Sequence, residues 1–175
     1  MSFVMSSMMT SKMPAYAFTP IPSLDPSGNI LFQDDFEDGD YDGWMVTSNW
    51  SLVDDGGSKV LRVSNANEGF LLAGDDAWAD YSYEAKFKTK PGAFSGLLGR
   101  AADTSNYYYL QPQPGNGAIV LSKRVNGQDT TIKTEPLDIP VDEWFRLKVT
   151  FEGNRITGYL NGEKVISATD NTFKS

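Results

Sequence analysis

Two antiparallel β-sheets packed face to face, an all-β sandwich, is the fold this sequence predicts, and three observations carry the expectation. The first is a period of two. Phe145, Leu147, Val149 and Phe151 alternate with Trp144, Arg146, Lys148 and Thr150, the pattern of a strand with one buried face. The second is turn chemistry: Asn126-Gly127 and Asn161-Gly162 each offer the two positive-φ positions that a type I′ hairpin turn favours. The third is spacing, since strand-like runs recur about every eight to twelve residues and no helical period longer than a turn is visible.

In chain order, residues 1–17 are rich in Met, Ser and Thr, carry Lys12 as their one charge, and show neither period. They end in Ala15-Tyr16-Ala17, small residues at the two positions a signal peptidase reads, and the proline-rich stretch 18–26 follows. Residues 1–29 are therefore expected to be a signal-peptide-like leader and linker, and 30–175 the folded module. A first strand is expected over 30–36, then an acid-rich loop leading to Trp44. Strands 50–53 and 60–63 form a hairpin around Asp54-Asp55-Gly56-Gly57, and 69–73 precedes a loop that carries Trp78. Tyr81, Tyr83, Ala85 and Phe87 alternate with Ser82, Glu84, Lys86 and Lys88 in the next strand, which Pro91-Gly92 ends. Strands 94–101, 107–111, 118–124 and 130–134 follow. A meander of 144–151, 156–160 and 164–168 closes the chain, and because alone it leaves an apolar face in water, a second sheet must cover it.

Composition narrows the function. A net charge of −8 argues against a nucleic-acid partner, whose phosphates call for a basic surface. With no cysteine and no histidine, disulfides, thiolate catalysis, histidine-based triads and the usual zinc sites are excluded. No stretch is apolar over the roughly 20 residues that a membrane-spanning helix needs. Asp34, Asp35, Glu37, Asp38, Asp40 and Asp42 crowd into nine positions. Such a run serves turn chemistry and solvation, or supplies hard oxygen ligands to Ca²⁺, although it lacks the spacing of an EF-hand loop.

The C-terminal pattern also resembles a known family. Trp144 to Val149 reads Trp-aromatic-x-Leu-x-Val, Phe151 to Ile156 reads Phe-x-Gly-Asn-x-Ile, and Tyr159 to Gly162 reads Tyr-x-Asn-Gly, with Asp170 following. Together with the acid-rich opening Asp34 to Trp44, Asp80-Tyr81, Gly96 to Arg100 and Asn106-Tyr107-Tyr108, this is similar to laminin G-like, concanavalin A-like jelly rolls, including modules attached to secreted bacterial polysaccharide lyases and glycoside hydrolases. The resemblance covers about 30–175. It implies a structural calcium held by Asp35, Glu37 and Asp38 together with an aspartate on a closing strand, and it makes Tyr108 and Leu110 the core pair of their strand. That closing strand is absent after Phe173 to Ser175, which points to a piece of a longer polypeptide or to a fold that closes differently.

Candidate chemistry follows from residue types. Retaining glycosidases of this architecture carry a Glu-x-Asp-x-x-Glu strand, and Glu84, Glu152 and Glu163 form no such set. A lyase reading draws on Tyr107 to Tyr109 with Arg100 and Lys123 as base and carboxylate partner. For glycan binding, sugars present C–H faces to aromatic rings and hydroxyls to polar groups. Tyr107, Tyr109 and Gln111 share one strand parity, Arg100 and Lys123 neighbour them, and Trp78 is the tryptophan expected to be exposed. Against this, Arg100 is also expected as a buried partner of an aspartate such as Asp103, and Trp44, Trp50 and Trp144 as core or loop anchors. A basic patch on an acidic protein suits an acidic polysaccharide such as pectate. The expected function is a non-catalytic carbohydrate-binding module of a secreted bacterial polysaccharide-degrading enzyme, pectate-lyase-like, covalently linked to a catalytic domain in a longer chain. The alternatives are a concanavalin A-like lyase or hydrolase with an atypical site, and an adhesion domain that binds protein through a sheet edge.

Overall fold

The computed structural model describes residues 3–8, 16–46, 50–63, 68–90 and 95–175, which contain fifteen strands, one 3-10 turn and no α-helix. In chain order the strands are β1 (Phe3–Met8), β2 (Tyr16–Leu24), β3 (Ile30–Phe32), β4 (Met45–Val46), β5 (Trp50–Asp55), β6 (Ser58–Val63), β7 (Glu68–Ala73) and β8 (Tyr81–Lys88). There follow β9 (Ser95–Asp103), β10 (Asn106–Gln113), β11 (Ala118–Val125), β12 (Gln128–Pro136), β13 (Trp144–Glu152), β14 (Arg155–Leu160) and β15 (Glu163–Thr169). The first sheet runs β12-β11-β10-β9-β1-β7-β4 and the second β15-β14-β13-β8-β2-β6-β5, with β3 bonded to β2.

The alternation read in the meander fixes the register of the second sheet. Phe145, Leu147, Val149 and Phe151 stand opposite Phe87, Ala85, Tyr83 and Tyr81, and all eight are buried. From the first sheet Leu97, Tyr108, Leu110, Ile119 and Leu121 join the same core. Each large side chain taken from water contributes roughly 1.5–3 kcal/mol, so these inward rows hold the sheets together. The hairpin signals also hold: Asn126 and Gly127 have φ of 50° and 78°, and Asn161 and Gly162 of 50° and 86°. The sheets approach closely at Gly158, where a Cβ would meet a Leu110 methyl at 2.8 Å and Ile166 Cγ2 at 2.7 Å.

Two strands lie where the sequence reading places a leader and linker. β1 sits between β7 and β9, with Met5 opposite Leu71 and Leu97. β2 sits between β6 and β8, with Phe18 opposite Leu61 and Phe87. Strand pairing therefore begins well before residue 30, where the sequence reading starts the folded module. The signal was hidden by Pro20 and Pro22, which have no N–H to give a ladder and argue against an interior strand. The first expected strand is also shorter, ending at Phe32, because Asp34 turns the chain by accepting the Phe36 N–H at 2.8 Å. The expected Pro91-Gly92 turn and the start of a strand at Phe94 lie outside the described residues, as does Ala15 of the expected cleavage site.

Candidate functional site

The structure separates the sequence-predicted ligand set onto two sides of the first sheet. Tyr107, Tyr109 and Gln111 take its outer face, as their parity predicts, but they are not open. Tyr107 is fully buried in an apolar cluster with Phe70, Leu72, Leu98 and Ala101, and Tyr109 is half-buried against it. Gln111 is buried and accepts a hydrogen bond from Gln113 Nε2 at 2.9 Å.

Arg100 points the other way. Its φ of 48° and the irregular register between Asn106 and Tyr108 form a bulge that breaks the alternation of β9. The guanidinium is buried 5.2 Å from the Phe151 ring centroid and donates to Ala79 O at 2.8 and 3.0 Å, to Phe173 O at 3.2 Å and to Asp80 Oδ1 at 3.3 Å. It is a buried partner of an aspartate, as the structural alternative expects, but of Asp80 rather than Asp103.

Lys123 stands opposite Tyr108 and joins the same end of the sandwich. Its Nζ donates to Asp170 Oδ2 at 2.6 Å and to Thr172 Oγ1 at 2.7 Å, while the Tyr108 hydroxyl donates to Asp170 Oδ1 at 2.7 Å. Burial pushes the Tyr108 hydroxyl up to about 12. Burial acts to raise the Asp170 carboxyl too, yet the bonds from Lys123, Thr172 and Tyr108 outweigh it and hold that carboxyl well below the usual carboxylate range. The cluster fastens the segment after β15 across the gap between the sheets. Its donors and acceptors are spent on the chain itself. Trp78 is also corrected: it is partly buried, packed against the core with its ring centroid 6.1 Å from that of Tyr81.

The acidic loop uses its carboxylates on its own backbone. Asp35 accepts the Glu37 N–H at 3.1 Å, Asp38 the Asp40 N–H at 3.3 Å, and Glu37 the Lys59 N–H at 3.0 Å. Asp34 accepts the Trp44 indole N–H at 2.7 Å, and burial raises its carboxyl above the usual value. Among the described residues no three acidic side chains gather closely enough to share a metal ion. As arranged, Asp35, Glu37 and Asp38 do not fit the six to eight oxygens that Ca²⁺ takes.

An open site lies instead on the outer face of the second sheet. A groove of about 360 Å³ is lined by Asp55, Val60, Lys86, Trp144, Arg146 and Asn161, among others. Trp144 is 39% exposed. It stands there because its neighbours in the alternation, Phe145 and Leu147, occupy the core face. Lys88, opposite it on β8, lies 5.9 Å from the ring centroid and 3.4 Å from Asp55. Arg146 is opposite Lys86, and Asn161 in the β14–β15 turn accepts the Arg146 N–H at 2.8 Å, which fixes the strand beside the ring. An aromatic ring ringed by a guanidinium, ammonium groups, an amide and a carboxylate can stack on a sugar face and bond its hydroxyls. The sequence reading takes Trp144 as a core or loop anchor rather than a sugar platform; its shared parity with Arg146 and Lys148 is the signal for exposure.

Comparison with known proteins places the chain in a family. The family model described as a 3-keto-alpha-glucoside-1,2-lyase-like domain matches residues 31–175. An extracellular exo-alpha-L-arabinofuranosidase of Streptomyces chartreusis is 28% identical over 158 residues, covering 88% of this chain and 19% of the relative. The chain thus spans about a fifth of that protein's length. The carbohydrate-binding module CBM66 of Bacillus subtilis superposes with a TM-score of 0.57 at 25% identity, over 75% of this chain and 82% of that one. Among the described residues no helix is long and apolar enough to cross a membrane.

Proposed function

Because the chain belongs to the 3-keto-alpha-glucoside-1,2-lyase-like domain family and its sandwich is similar to a carbohydrate-binding module, we propose that it is a non-catalytic glycan-binding jelly roll. The glycan lies on the outer face of the second sheet, against Trp144. The observation that carries this reading is the exposed indole beside a groove lined with Arg, Lys, Asn and Asp side chains, since concave sites with one aromatic platform and a few polar groups suit sugars. Similarity to an extracellular arabinofuranosidase supports a secreted protein in which this module is joined to a glycoside hydrolase. That parent displaces the pectate-lyase-like one as the better supported partner.

Affinity electrophoresis through gels containing arabinan, arabinoxylan, fructan, β-glucan or homogalacturonan tests the reading. Retardation by a glycan, abolished in Trp144→Ala with the fold intact by circular dichroism, is the expected result. Retardation that survives in Trp144→Ala would place the glycan elsewhere. The family's description favours a second reading, bond cleavage in a 3-keto-glucoside. Release of reducing or unsaturated sugar from such a substrate would establish that reading and remove the non-catalytic one.

A further inference from the structure

We propose that the Trp144 face selects glycans that bear carboxylates, that is, uronate-containing polysaccharides. The inference rests on the reading of that face as the glycan site and adds the charge of its ligand. The protein carries 23 acidic against 15 basic residues, yet this face has the opposite balance. Register places Lys88 beside Trp144, Lys86 beside Arg146, Lys148 beside Tyr159 and Glu84, and Lys164 beside Tyr159. Glu84 stands among these cations, and Asp55 is one of the groove's lining residues.

The acids neutralise them only in part. Asp55 engages Lys88 at 3.4 Å, while Glu84 reaches Arg146 only at 3.9 Å, with the Arg146 side chain 60% exposed. Lys86 is exposed and has no ion pair among the described residues. Lys148 lies over the Tyr159 ring at 5.8 Å on the same face and adds a further positive charge to it. A neutral sugar needs no such excess of cations, whereas a uronate carboxylate accepts two parallel N–H bonds from a planar guanidinium. Arg146 is two residues along β13 from Trp144, about 7 Å by strand rise, so ring and cation address neighbouring parts of one polymer.

The test is isothermal titration with oligogalacturonate and with the same oligomer fully methyl-esterified, on the whole chain, its Lys86→Gln/Arg146→Gln variant and Trp144→Ala. The expected result is binding to the free acid and little to the ester. The double variant is expected to bind the acid roughly two- to 25-fold more weakly, since an exposed ion pair is worth about 1.4- to fivefold. Added salt is expected to weaken binding to the acid. Equal affinity for acid and ester, or binding of neutral arabinan that is lost only in Trp144→Ala, overturns the charge selection and leaves the glycan site standing. Binding to no glycan overturns both. Binding to duplex DNA as tight as to the galacturonate shows a non-selective polyanion patch and also overturns the proposal.

Discussion

Replacing Asp170 with Asn perturbs the join between the end of the meander and the first sheet. The native carboxylate accepts from Tyr108, Lys123 and the Thr172 N–H at 2.7, 2.6 and 2.8 Å. Asparagine keeps an acceptor oxygen but loses the charge that Lys123 answers. A hydrogen bond to a charged group is worth roughly 1.5–3 kcal/mol. The Lys123 side chain is 22% exposed and keeps Thr172 Oγ1 at 2.7 Å, so part of the loss is recovered. The expected net cost is about 2 kcal/mol, a fall in Tm of roughly 4–8 °C for a chain of this length. Calorimetric melts across pH read the charge directly. The folded carboxyl lies below its ordinary value of 3.8, so its stabilising contribution is full above that pH and is lost as pH falls through the lower folded value. The gap between wild type and D170N is therefore constant from neutral pH down to about pH 4 and closes in stronger acid. Equal Tm values at pH 7, or a gap that widens in acid, would refute the assignment. Lys123→Met completes a double-mutant cycle, in which the two losses are expected to fall short of additive.

Other parts of the sandwich give equally direct tests. Gly158→Ala places a methyl against Leu110 and Ile166, and a loss of roughly 1–3 kcal/mol is expected in the denaturant midpoint; an unchanged midpoint would show that the sheets can part there freely. Tyr83→Phe removes the buried hydroxyl that donates to Leu98 O, at an expected cost of about 1–2 kcal/mol by chemical unfolding, and a variant as stable as wild type would deny that bond a role. Deleting residues 1–24 takes an interior strand from each sheet. The expected outcome is loss of a cooperative thermal transition by circular dichroism, and a sharp melt at the wild-type temperature would refute the placement of β1 and β2.

The meander was legible because each of its signals acts locally. Alternation at Trp144 to Phe151 decides which side chains meet the core, and Asn161-Gly162 decides the turn, without reference to distant residues. Arg100 was not legible in the same way. Its left-handed backbone is imposed by a bulge against β10, and no residue type in Gly99-Arg100-Ala101 announces that a non-glycine residue will adopt it. Tyr107 and Tyr109 were assigned to the correct face, but strand parity cannot say whether a face is covered. Trp144 is expected as a core or loop anchor, but its parity with Arg146 and Lys148 puts it on the outer face, where it is 39% exposed. β2 was lost to the weight given to Pro20 and Pro22, which its sheet accommodates near an irregularity between Ile21 and Leu24.

The interior position of β1 and β2 sets the order of folding. They precede every partner in the chain, and Phe18 finds Phe87, and Met5 finds Leu97, across about 70 and 90 residues. Closing spans of that length carries an entropic penalty that must be met before any pairing offsets it. The β13–β14–β15 meander closes through tight turns and meets almost none of that penalty. Structure is therefore expected to consolidate first near the C-terminal end and spread backwards, with the two earliest strands captured last. Until that capture each sheet presents two bare edges, and a newly made chain is most open to pairing with a neighbour during that interval.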